Sequence, residues 1–391
     1  MAAAVLVVVL ALGIAVVARS SPAAHTTSIT ASQPAPTPPV ASEVPPTLAE
    51  AWRAPSAATP APVAVGPVVV TGDDSTVIGR DPLTGARRWS YQRNLPLCTV
   101  GAGWGYALAV FRTGAYCAEV TALKAETGAR GPQRNSDVPP GTRLLDDGYL
   151  VTATGSNHLE TWRSDLVKTQ EYGALRAYIE PGSQPRPDCR HISVAVTSGR
   201  VGVLERCPNE AGDRLTVLHP DDSESDRPVA ELSTVLPGRD AELVALSDDR
   251  EAVLLTNPTR LSVRGPGGGE VASFPLDLPA GDLAGDPPGE VVPTTRVPGA
   301  VLWWTGSSTV AMDDQDLHPR WTMPNTLGPG TLMAGQLVVP VPGAESVVDP
   351  ATGSVSRTIP VDRGSYRGPV AASALGPVLL EQRGSVLVAL R

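Results

Sequence analysis

Four cysteines form two local pairs in the sequence, Cys98 with Cys117 and Cys189 with Cys207. Each pair brackets a stretch typical of a β-hairpin, and cysteines at the open ends of antiparallel strands can approach to bonding distance. Structural zinc ligands usually come as closely spaced C-x₂₋₄-C pairs, which the sequence lacks. We therefore predict two disulfides and an exported domain, with free buried thiols and metal binding as the alternatives.

Histidines that could serve as a general base are distributed along the chain, at His158, His191, His219 and His318. They fall at similar strand or turn positions of different segments, and no G-x-S-x-G nucleophile motif occurs in the sequence. We expect them to be surface or inter-strand residues. No catalytic residue is assigned, and the chain is predicted not to be an enzyme.

Two acidic turns loosely resemble calcium-binding loops. They contain Asp221, Asp222, Glu224 and Asp226 in the first turn, and Asp313, Asp314 and Asp316 in the second. Neither has the D-x-[DN]-x-[DN]-G order with a distant glutamate, so solvated turns are expected. The glycine-rich stretch 265–269 precedes a strand pattern and does not fit a phosphate loop at a helix N-terminus. No metal or cofactor is predicted.

Three tryptophans are candidates for binding a partner protein: Trp104, Trp303 and Trp304. Adjacent residues of a strand face opposite sides of the sheet. In the neighbouring pair Trp303 and Trp304, one side chain can therefore fill the space between two packed sheets, while the other meets a neighbouring sheet or solvent. An exposed tryptophan is a typical anchor of a protein interface.

The composition indicates an all-β protein with many turns. The chain has 40 prolines and 38 glycines, and short runs of Val, Leu and Thr replace long amphipathic helical patterns. Its formal net charge of −9 argues against general affinity for nucleic acid.

A repeated unit of about 42 residues organises the chain. The stretch DPLTGARRW at 81–89 ends a strand, makes a turn and enters the next strand. Copies of its turn recur at Glu126-Thr127-Gly128 and at Asp349-Pro350-Ala351-Thr352-Gly353. Within the first copy, Asp81 can accept backbone N–H bonds and Gly85 can supply a positive φ. Trp89 can wedge between neighbouring units, so this motif has a structural explanation without a ligand.

Eight such units can be followed, but the last one lacks a fourth strand. The segment 48–55 can supply it, because Trp52 matches Trp89 and Trp321 in the fourth-strand position. The predicted fold is an eight-bladed β-propeller of four-stranded blades, closed by this N-terminal strand. Seven blades are the alternative, because 173–188 and 275–295 are long insertions.

The N-terminus is predicted to be a membrane anchor. Residues 2–18 carry no charged side chain and span about 25 Å as a helix. Residues 1–19 are therefore assigned as a transmembrane signal anchor, with a cleaved signal peptide as the alternative. Residues 20–47 are predicted to be a Pro/Ala/Ser-rich disordered linker, and 48–391 the propeller. Arg19 follows the apolar run, so a basic segment upstream of residue 1 is expected.

The pattern D-x-x-T-G-x-x-x-W resembles the repeat of the pyrroloquinoline-quinone-like β-propellers. It is matched by Asp81, Thr84, Gly85 and Trp89, and in part by Asp349, Thr352 and Gly353, where Arg357 replaces the tryptophan. The resemblance implies either a quinoprotein dehydrogenase or a non-catalytic relative, such as the scaffold lipoprotein of the outer-membrane β-barrel assembly machinery. The adjacent cysteine pair of the enzymes is missing. The composition also resembles envelope proteins of high-GC actinobacteria.

The function predicted from these features is a scaffold for protein interaction or cell-envelope assembly. It would be tethered to the cell membrane through residues 2–18, with the propeller on the extracytoplasmic side and other envelope proteins as partners. A small-ligand-binding or sensor propeller is the first alternative. A quinone-dependent dehydrogenase is the second.

Overall fold

The computed structural model describes residues 25–176, 182–220 and 225–391. These residues form eight antiparallel sheets, seven with four strands and one with five. Each sheet is one blade of a β-propeller. The prediction of eight four-stranded blades is confirmed, and the seven-bladed alternative is wrong.

Two strands precede the first blade, β1 (Thr27–Ile29) and β2 (Glu50–Pro55). The first four blades then take their strands in sequence order. Blade 1 has β3 (Val63–Val65), β4 (Val68–Asp73), β5 (Thr76–Arg80) and β6 (Arg87–Gln92); blade 2 has β7 (Leu97–Gly103), β8 (Tyr106–Thr113), β9 (Tyr116–Lys124) and β10 (Arg130–Asn135). Blade 3 has β11 (Leu144–Asp146), β12 (Val151–Ala153), β13 (His158–Trp162) and β14 (Lys168–Gly173); blade 4 has β15 (Arg190–Thr197), β16 (Arg200–Arg206), β17 (Arg214–Leu218) and β18 (Ala230–Val235).

The remaining blades follow the same order. Blade 5 has β19 (Glu242–Leu246), β20 (Glu251–Thr256), β21 (Thr259–Arg264) and β22 (Glu270–Pro275); blade 6 has β23 (Thr294–Val297), β24 (Ala300–Trp304), β25 (Ser308–Asp313) and β26 (Pro319–Pro324). Blade 7 has β27 (Thr331–Met333), β28 (Gln336–Val341), β29 (Ala344–Val348) and β30 (Val355–Pro360); blade 8 has β31 (Val370–Leu375), β32 (Val378–Arg383) and β33 (Val386–Leu390).

The first strands of the blades line a central channel, because they contact one another around the ring. β3 contacts β7, β7 contacts β11, β11 contacts β15, and β31 contacts both β27 and β3. The turns between first and second strands, and those between third and fourth strands, lie at one end of the ring. We call this end the front face. The other end is the back face.

β2 supplies the fourth strand of blade 8. It pairs antiparallel with β33, with Trp52 opposite Ala389. Ala49 and Arg391 extend the ladder by exchanging backbone hydrogen bonds of 3.0 and 2.9 Å. The two ends of the propeller chain therefore meet in one sheet, as the missing fourth strand of the last unit predicts.

The aspartates of the repeated motif organise the turns between third and fourth strands. One carboxylate oxygen of Asp81 accepts bonds from the N–H groups of Leu83 and Thr84 and from the Thr84 hydroxyl, each 3.0 Å long. Asp349 accepts the corresponding two backbone bonds at 2.9 Å. In the copy of blade 2, Lys124 occupies the position of these aspartates, and its turn closes through the backbone bond from Gly128 N–H to Lys124 O at 2.7 Å.

Each motif glycine receives the tryptophan of the preceding blade. Gly128 has a φ of 72°, and a Cβ atom placed on it would lie 2.6 Å from Trp89 Cγ. The Trp89 indole N–H donates to Ala125 O at 2.7 Å. Trp89 is therefore wedged between blades 1 and 2, as its position in the motif predicts.

The same contact recurs at two other blade boundaries. Trp52 packs on Gly85 and donates to Pro82 O at 2.9 Å, joining blade 8 to blade 1. Trp321 packs on Gly353 and donates to Pro350 O at 3.0 Å, joining blade 6 to blade 7. The repeat motif thus encodes both a turn and the site where the neighbouring blade docks.

Both predicted disulfides are present, Cys98–Cys117 and Cys189–Cys207. The second closes the open end of the hairpin formed by β15 and β16, as expected. The first differs from the expectation, because Cys117 lies in β9, the third strand of blade 2. Since the hairpin of β7 and β8 ends before Cys117, this disulfide joins the first and third strands. Both bonds lie at the back face.

Residues 25–48 run along the front face of the propeller. β1 pairs with β6 and adds a fifth strand to blade 1. Ala31 N–H then donates to Thr127 O at 2.9 Å, and Ala35, 7% exposed, packs into the core between blades 1 and 2. Val44, fully buried, packs against residues of blades 7 and 8.

This ordered path differs from the disordered linker expected for 20–47. Small and proline-rich residues carry no strand or helix period, so their composition predicts a solvated chain. The ring offers grooves between its front turns, and single apolar residues such as Ala35 and Val44 fill them. The domain boundaries themselves stay a prediction.

Helical structure is minor in the described part of the chain. Two 3₁₀ helices, Ala280–Leu283 and Pro288–Glu290, lie in the insertion between blades 5 and 6. Across the described ranges, no helix has the length and apolar character needed to cross a membrane. The predicted anchor at residues 2–18 lies outside the described residues.

Candidate functional site

A pocket of about 940 Å³ occupies the central channel beside blades 3 to 6. Its walls come from the first strands of these blades, and its apolar side chains include Leu144, Val194, Val196, Val244 and Val297. The front-face segment 25–48 covers blades 1, 2, 7 and 8 and leaves this side of the channel free. Segment 25–48 therefore lies over one half of the front face, and the pocket lies beneath the other half.

The front mouth of this pocket, which we call the acidic mouth, is lined by five aspartates. They are Asp146 and Asp147 in blade 3, Asp248 and Asp249 in blade 5, and Asp314 in blade 6. All lie in or beside front-face turns, so three separate blades bring carboxylates to one opening. Carboxylates gathered around a cleft focus negative potential on it and attract cations.

Backbone hydrogen bonds hold three of these carboxylates in place, and that of Asp146 accepts the Gly148 N–H at 2.9 Å. Asp147 accepts an N–H bond from Gly199 of the neighbouring blade at 2.8 Å. Asp314 accepts the Gly299 N–H at 2.9 Å. Asp248 and Asp249 are exposed, and Asp249 pairs with Arg250 at 2.9 Å. The acidic mouth thus combines fixed and solvent-facing carboxylates.

Arg296 is the positively charged residue among those that line the pocket. Its guanidinium donates to Leu246 O at 2.7 Å, which ties β23 to β19. One arginine against five aspartates leaves the mouth acidic. The Arg296 guanidinium bonds to a backbone carbonyl, and Asp249 pairs with Arg250 outside the pocket lining, so the carboxylates of the mouth still outnumber its cations.

The insertion between blades 5 and 6 closes the back end of the pocket. Its residues Val291 and Val292 line the pocket floor. The Thr154 hydroxyl of blade 3 donates to Gly289 O at 2.7 Å, and Asp286 forms an ion pair with Arg190 of blade 4. We call residues 276–293 the floor insertion. The floor insertion therefore covers the back end of the pocket, and the acidic mouth lies at its front end.

Two half-buried glutamates at the floor have raised pKa values. Burial, together with the nearby Asp286 carboxylate, raises the pKa of Glu242 to about 7. Burial also raises the pKa of Glu290 to about 7, although Arg190 and Arg143 act in the opposite direction. Both groups can gain or lose a proton near neutral pH.

We expect the free energy of unfolding to fall as pH rises through this range. The unfolded chain releases these protons near pH 4.5, whereas the folded chain holds them until about pH 7. Between these values the folded state binds more protons, so the stability they contribute is present at low pH and is lost as pH rises. The two groups together should lower the free energy of unfolding by about 2 kcal/mol, after allowance for their partial exposure.

Urea unfolding between pH 4.5 and 8 measures this effect. The double substitution Glu242→Gln/Glu290→Gln should flatten that component of the profile, and the difference from the unsubstituted protein isolates it from other titrating groups. A wild-type profile with the same slope as that of the double variant would contradict the assignment.

The three candidate partner-binding tryptophans have different surroundings. Trp303 is 1% exposed within the core, so its ring is not available to a partner. Trp304 is partly buried and donates to Thr326 O at 3.1 Å near the back face. Trp104 is also partly buried, but it lies in the first front-face turn of blade 2 and donates to Tyr149 O at 2.8 Å. Of the three, Trp104 alone lies beside the acidic mouth.

The motif residues Asp81, Gly85 and Trp89 do not line the pocket, nor do their copies in blades 2 and 7. They lie in the outer turns and fix the blades that carry the inner strands. The acidic turn at 313–316 contributes Asp314 to the mouth, while the turn at 221–224 lies outside the described residues.

No local pattern in the sequence marks the acidic mouth as a unit. Asp146, Asp248 and Asp314 are far apart in the sequence, in turns that resemble ordinary solvated turns. Knowledge of the blade register could have placed them on one face. The composition of the floor insertion does not predict that it covers the back end of the pocket.

The chain was compared with known families, curated proteins and solved structures. No known family model matches the chain, and no curated protein matches it. The crystal structure of BamB from Moraxella catarrhalis is similar, with 13% sequence identity and a TM-score of 0.48 over 88% of this chain and 100% of that chain. At this level the similarity carries no argument about function, and the fold assignment rests on the strand pairings above.

Proposed function

We propose that the protein is an interaction scaffold whose recognition surface is the acidic mouth. The observation that carries this proposal is the convergence of five aspartates from three blades on a pocket of about 940 Å³ that has valines along its walls and floor. Such a surface suits a basic segment of a partner polypeptide, with apolar side chains in the pocket and cationic ones at the rim.

Aromatic side chains beside the mouth support a polypeptide partner. Tyr149 is 77% exposed and follows Asp147 closely in the first turn of blade 3. Trp104 of the neighbouring blade lies against it through the indole hydrogen bond described above. Exposed aromatic rings bind both apolar groups and the cationic heads of Lys and Arg.

The proposed setting is the outer side of a cell membrane. The two disulfides support an oxidising compartment, and the apolar run 2–18 supports a tether. Since β1 begins at Thr27, the chain between residue 18 and the propeller spans at most about 30 Å. A propeller so tethered would lie close to the membrane and meet other envelope proteins. Assignment to a non-catalytic, membrane-anchored, actinobacterial-type branch of the quinone-like propellers belongs to this proposal.

Binding of a small ligand is a second candidate function, because the floor insertion gives the pocket the enclosed form of a ligand site. We propose no enzymatic activity. The described residues that line the pocket offer carboxylates and the hydroxyls of Thr197, Ser198 and Thr294, but no His, Cys or Lys.

Binding of a fluorescent lysine-rich peptide to the purified protein tests the scaffold proposal. We expect binding that weakens with added salt, and no binding of a glutamate-rich peptide of equal length. The double substitution Asp248→Asn/Asp249→Asn should weaken binding about tenfold, since two exposed rim charges are removed without loss of a turn bond.

A matched control removes the same charge from the back face. Asp188 and Asp240 are exposed just before β15 and β19, so Asp188→Asn/Asp240→Asn should leave the affinity unchanged. Equal weakening by both double variants would show bulk charge rather than a site. If a polyamine raises the melting temperature while the peptide does not bind, the small-ligand alternative replaces the scaffold. If the peptide binds as expected, crosslinking from Tyr149 in native membranes would identify the partner protein.

A further inference from the structure

Three buried side chains that bind metals in other proteins lie on one face of blade 3. His158 and Glu160 alternate along β13 and so share a face. Glu171 lies directly opposite Glu160 on β14. Their exposed fractions are 3%, 2% and 9%. The blade therefore buries an imidazole and two carboxyl groups together.

The three groups are close enough to share one ion. One ligand atom from each lies within 4.8 Å of the others, and His158 Nε2 is 3.6 Å from Glu160 Oε1. Metal–ligand distances of about 2.0–2.2 Å place neighbouring ligands about 3.5 Å apart in a tetrahedral site. The His158–Glu160 distance already matches this value, and a Glu171 oxygen lies within 4.8 Å of both.

The His158 ring lacks the partners that a buried imidazole needs. Neither of its ring nitrogens has a hydrogen-bond partner within the described part of the chain. By contrast, the Nδ1 atom of buried His191 lies 2.8 Å from Gly155 O. A buried polar group without a partner is costly, and one that points at carboxylates suggests a missing ligand.

Other groups already orient the carboxylates. Glu160 accepts the Asp137 N–H at 2.9 Å and the Trp162 indole N–H at 2.8 Å. Metal ligands are commonly held by such outer hydrogen bonds. Glu160 is thus fixed in orientation by the Asp137 and Trp162 donors before any ion arrives.

We propose that His158, Glu160 and Glu171 bind one divalent first-row transition metal ion, of which Zn²⁺ is the best match to one imidazole and two carboxylates. Lys168 pairs with Glu171, and Arg134 lies 3.5 Å from Glu160. Each carboxylate retains further lone pairs for a metal. Because Asp137 belongs to the connection from blade 2, the ion would strengthen the boundary between blades 2 and 3.

Metal analysis of the purified full chain tests this site. After treatment with a chelator and addition of excess Zn²⁺, extensive dialysis should leave about one equivalent per chain, measured by mass spectrometry of the elements. Zn²⁺ should raise the melting temperature, and Co²⁺ in its place should give visible absorption typical of low coordination number. His158→Asn and Glu171→Gln should each abolish retention and both optical and thermal effects.

A surface pair provides the matched control. His318 lies 3.6 Å from Asp316, the same distance as in the buried pair, but both side chains are about half exposed. His318→Asn should therefore leave metal retention unchanged. Glu171→Gln keeps the shape of the side chain, and its intact disulfides and near-ultraviolet dichroism would show that it folds. Absence of retained Zn²⁺ in the unsubstituted protein, or equal retention by folded Glu171→Gln, would overturn the proposal.

Discussion

Replacing Trp89 with alanine is expected to lower the free energy of unfolding by about 3–5 kcal/mol. The Trp89 side chain is fully buried between blades 1 and 2. A Cβ atom on Gly79 of its own blade would lie 2.0 Å from the ring, and one on Gly128 of the next blade 2.6 Å. Backbone on both sides surrounds the ring closely, so neighbouring side chains cannot collapse into the cavity. Denaturant unfolding under oxidising conditions measures the loss.

Two comparisons separate packing from hydrogen bonding at this position. Trp89→Phe keeps most of the ring but leaves the Ala125 carbonyl without its donor, and should cost about 1–3 kcal/mol. Trp321→Ala removes an equivalent docking residue that is partly exposed, so it should cost less than Trp89→Ala. Equal losses at Trp89 and Trp321 would show that burial does not set the strength of these contacts.

Local patterns in the sequence predicted the blades well. The turn chemistry of Asp81 and Gly85 and the spacing of Trp52, Trp89 and Trp321 depend on contacts within one blade or with the next. The repeat therefore revealed the blade number, the supply of β2 to blade 8, and the docking of the tryptophans. The two disulfide pairs were also visible, because Cys189 and Cys207 lie at the ends of a hairpin.

Features that depend on the whole ring were not visible. The acidic mouth joins turns from blades 3, 5 and 6, and nothing local distinguishes Asp248 from a solvated turn residue. The path of residues 25–48 is set by grooves that exist only in the closed ring. Glu160 lies opposite Glu171 only in one register of β13 against β14. The alternation of side chains along a strand fixes the face of each residue, but it does not exclude a register shifted by two residues.

A network of charged residues is buried at the boundary between blades 7 and 8, and it too joins residues that are distant in the sequence. Arg363, 3% exposed at its side chain, lies 2.6 Å from Glu345 of β29 and 2.6 Å from Glu381 of β32. Arg383 also pairs with Glu381. Burial and the neighbouring Glu381 carboxylate hold the pKa of Glu345 well above its usual range. Glu345 is therefore the carboxyl group of this pair that favours its neutral form, whereas the two arginines favour the ionised form of Glu381.

Arg363→Met is expected to destabilise the protein by about 3–5 kcal/mol, because it leaves buried carboxyl groups without their main partner. Glu345→Gln should cost less than about 1 kcal/mol at pH 7, since the raised pKa of Glu345 favours the neutral carboxyl group, whose hydrogen-bonding shape the amide shares. Glu381→Gln should cost more than Glu345→Gln, because it removes the ionised partner of both arginines. Urea unfolding at pH 7 compares all three variants. If Glu345→Gln proved as costly as Arg363→Met, Glu345 would be ionised in the folded protein, and blades 7 and 8 would be joined by two buried negative charges instead of one.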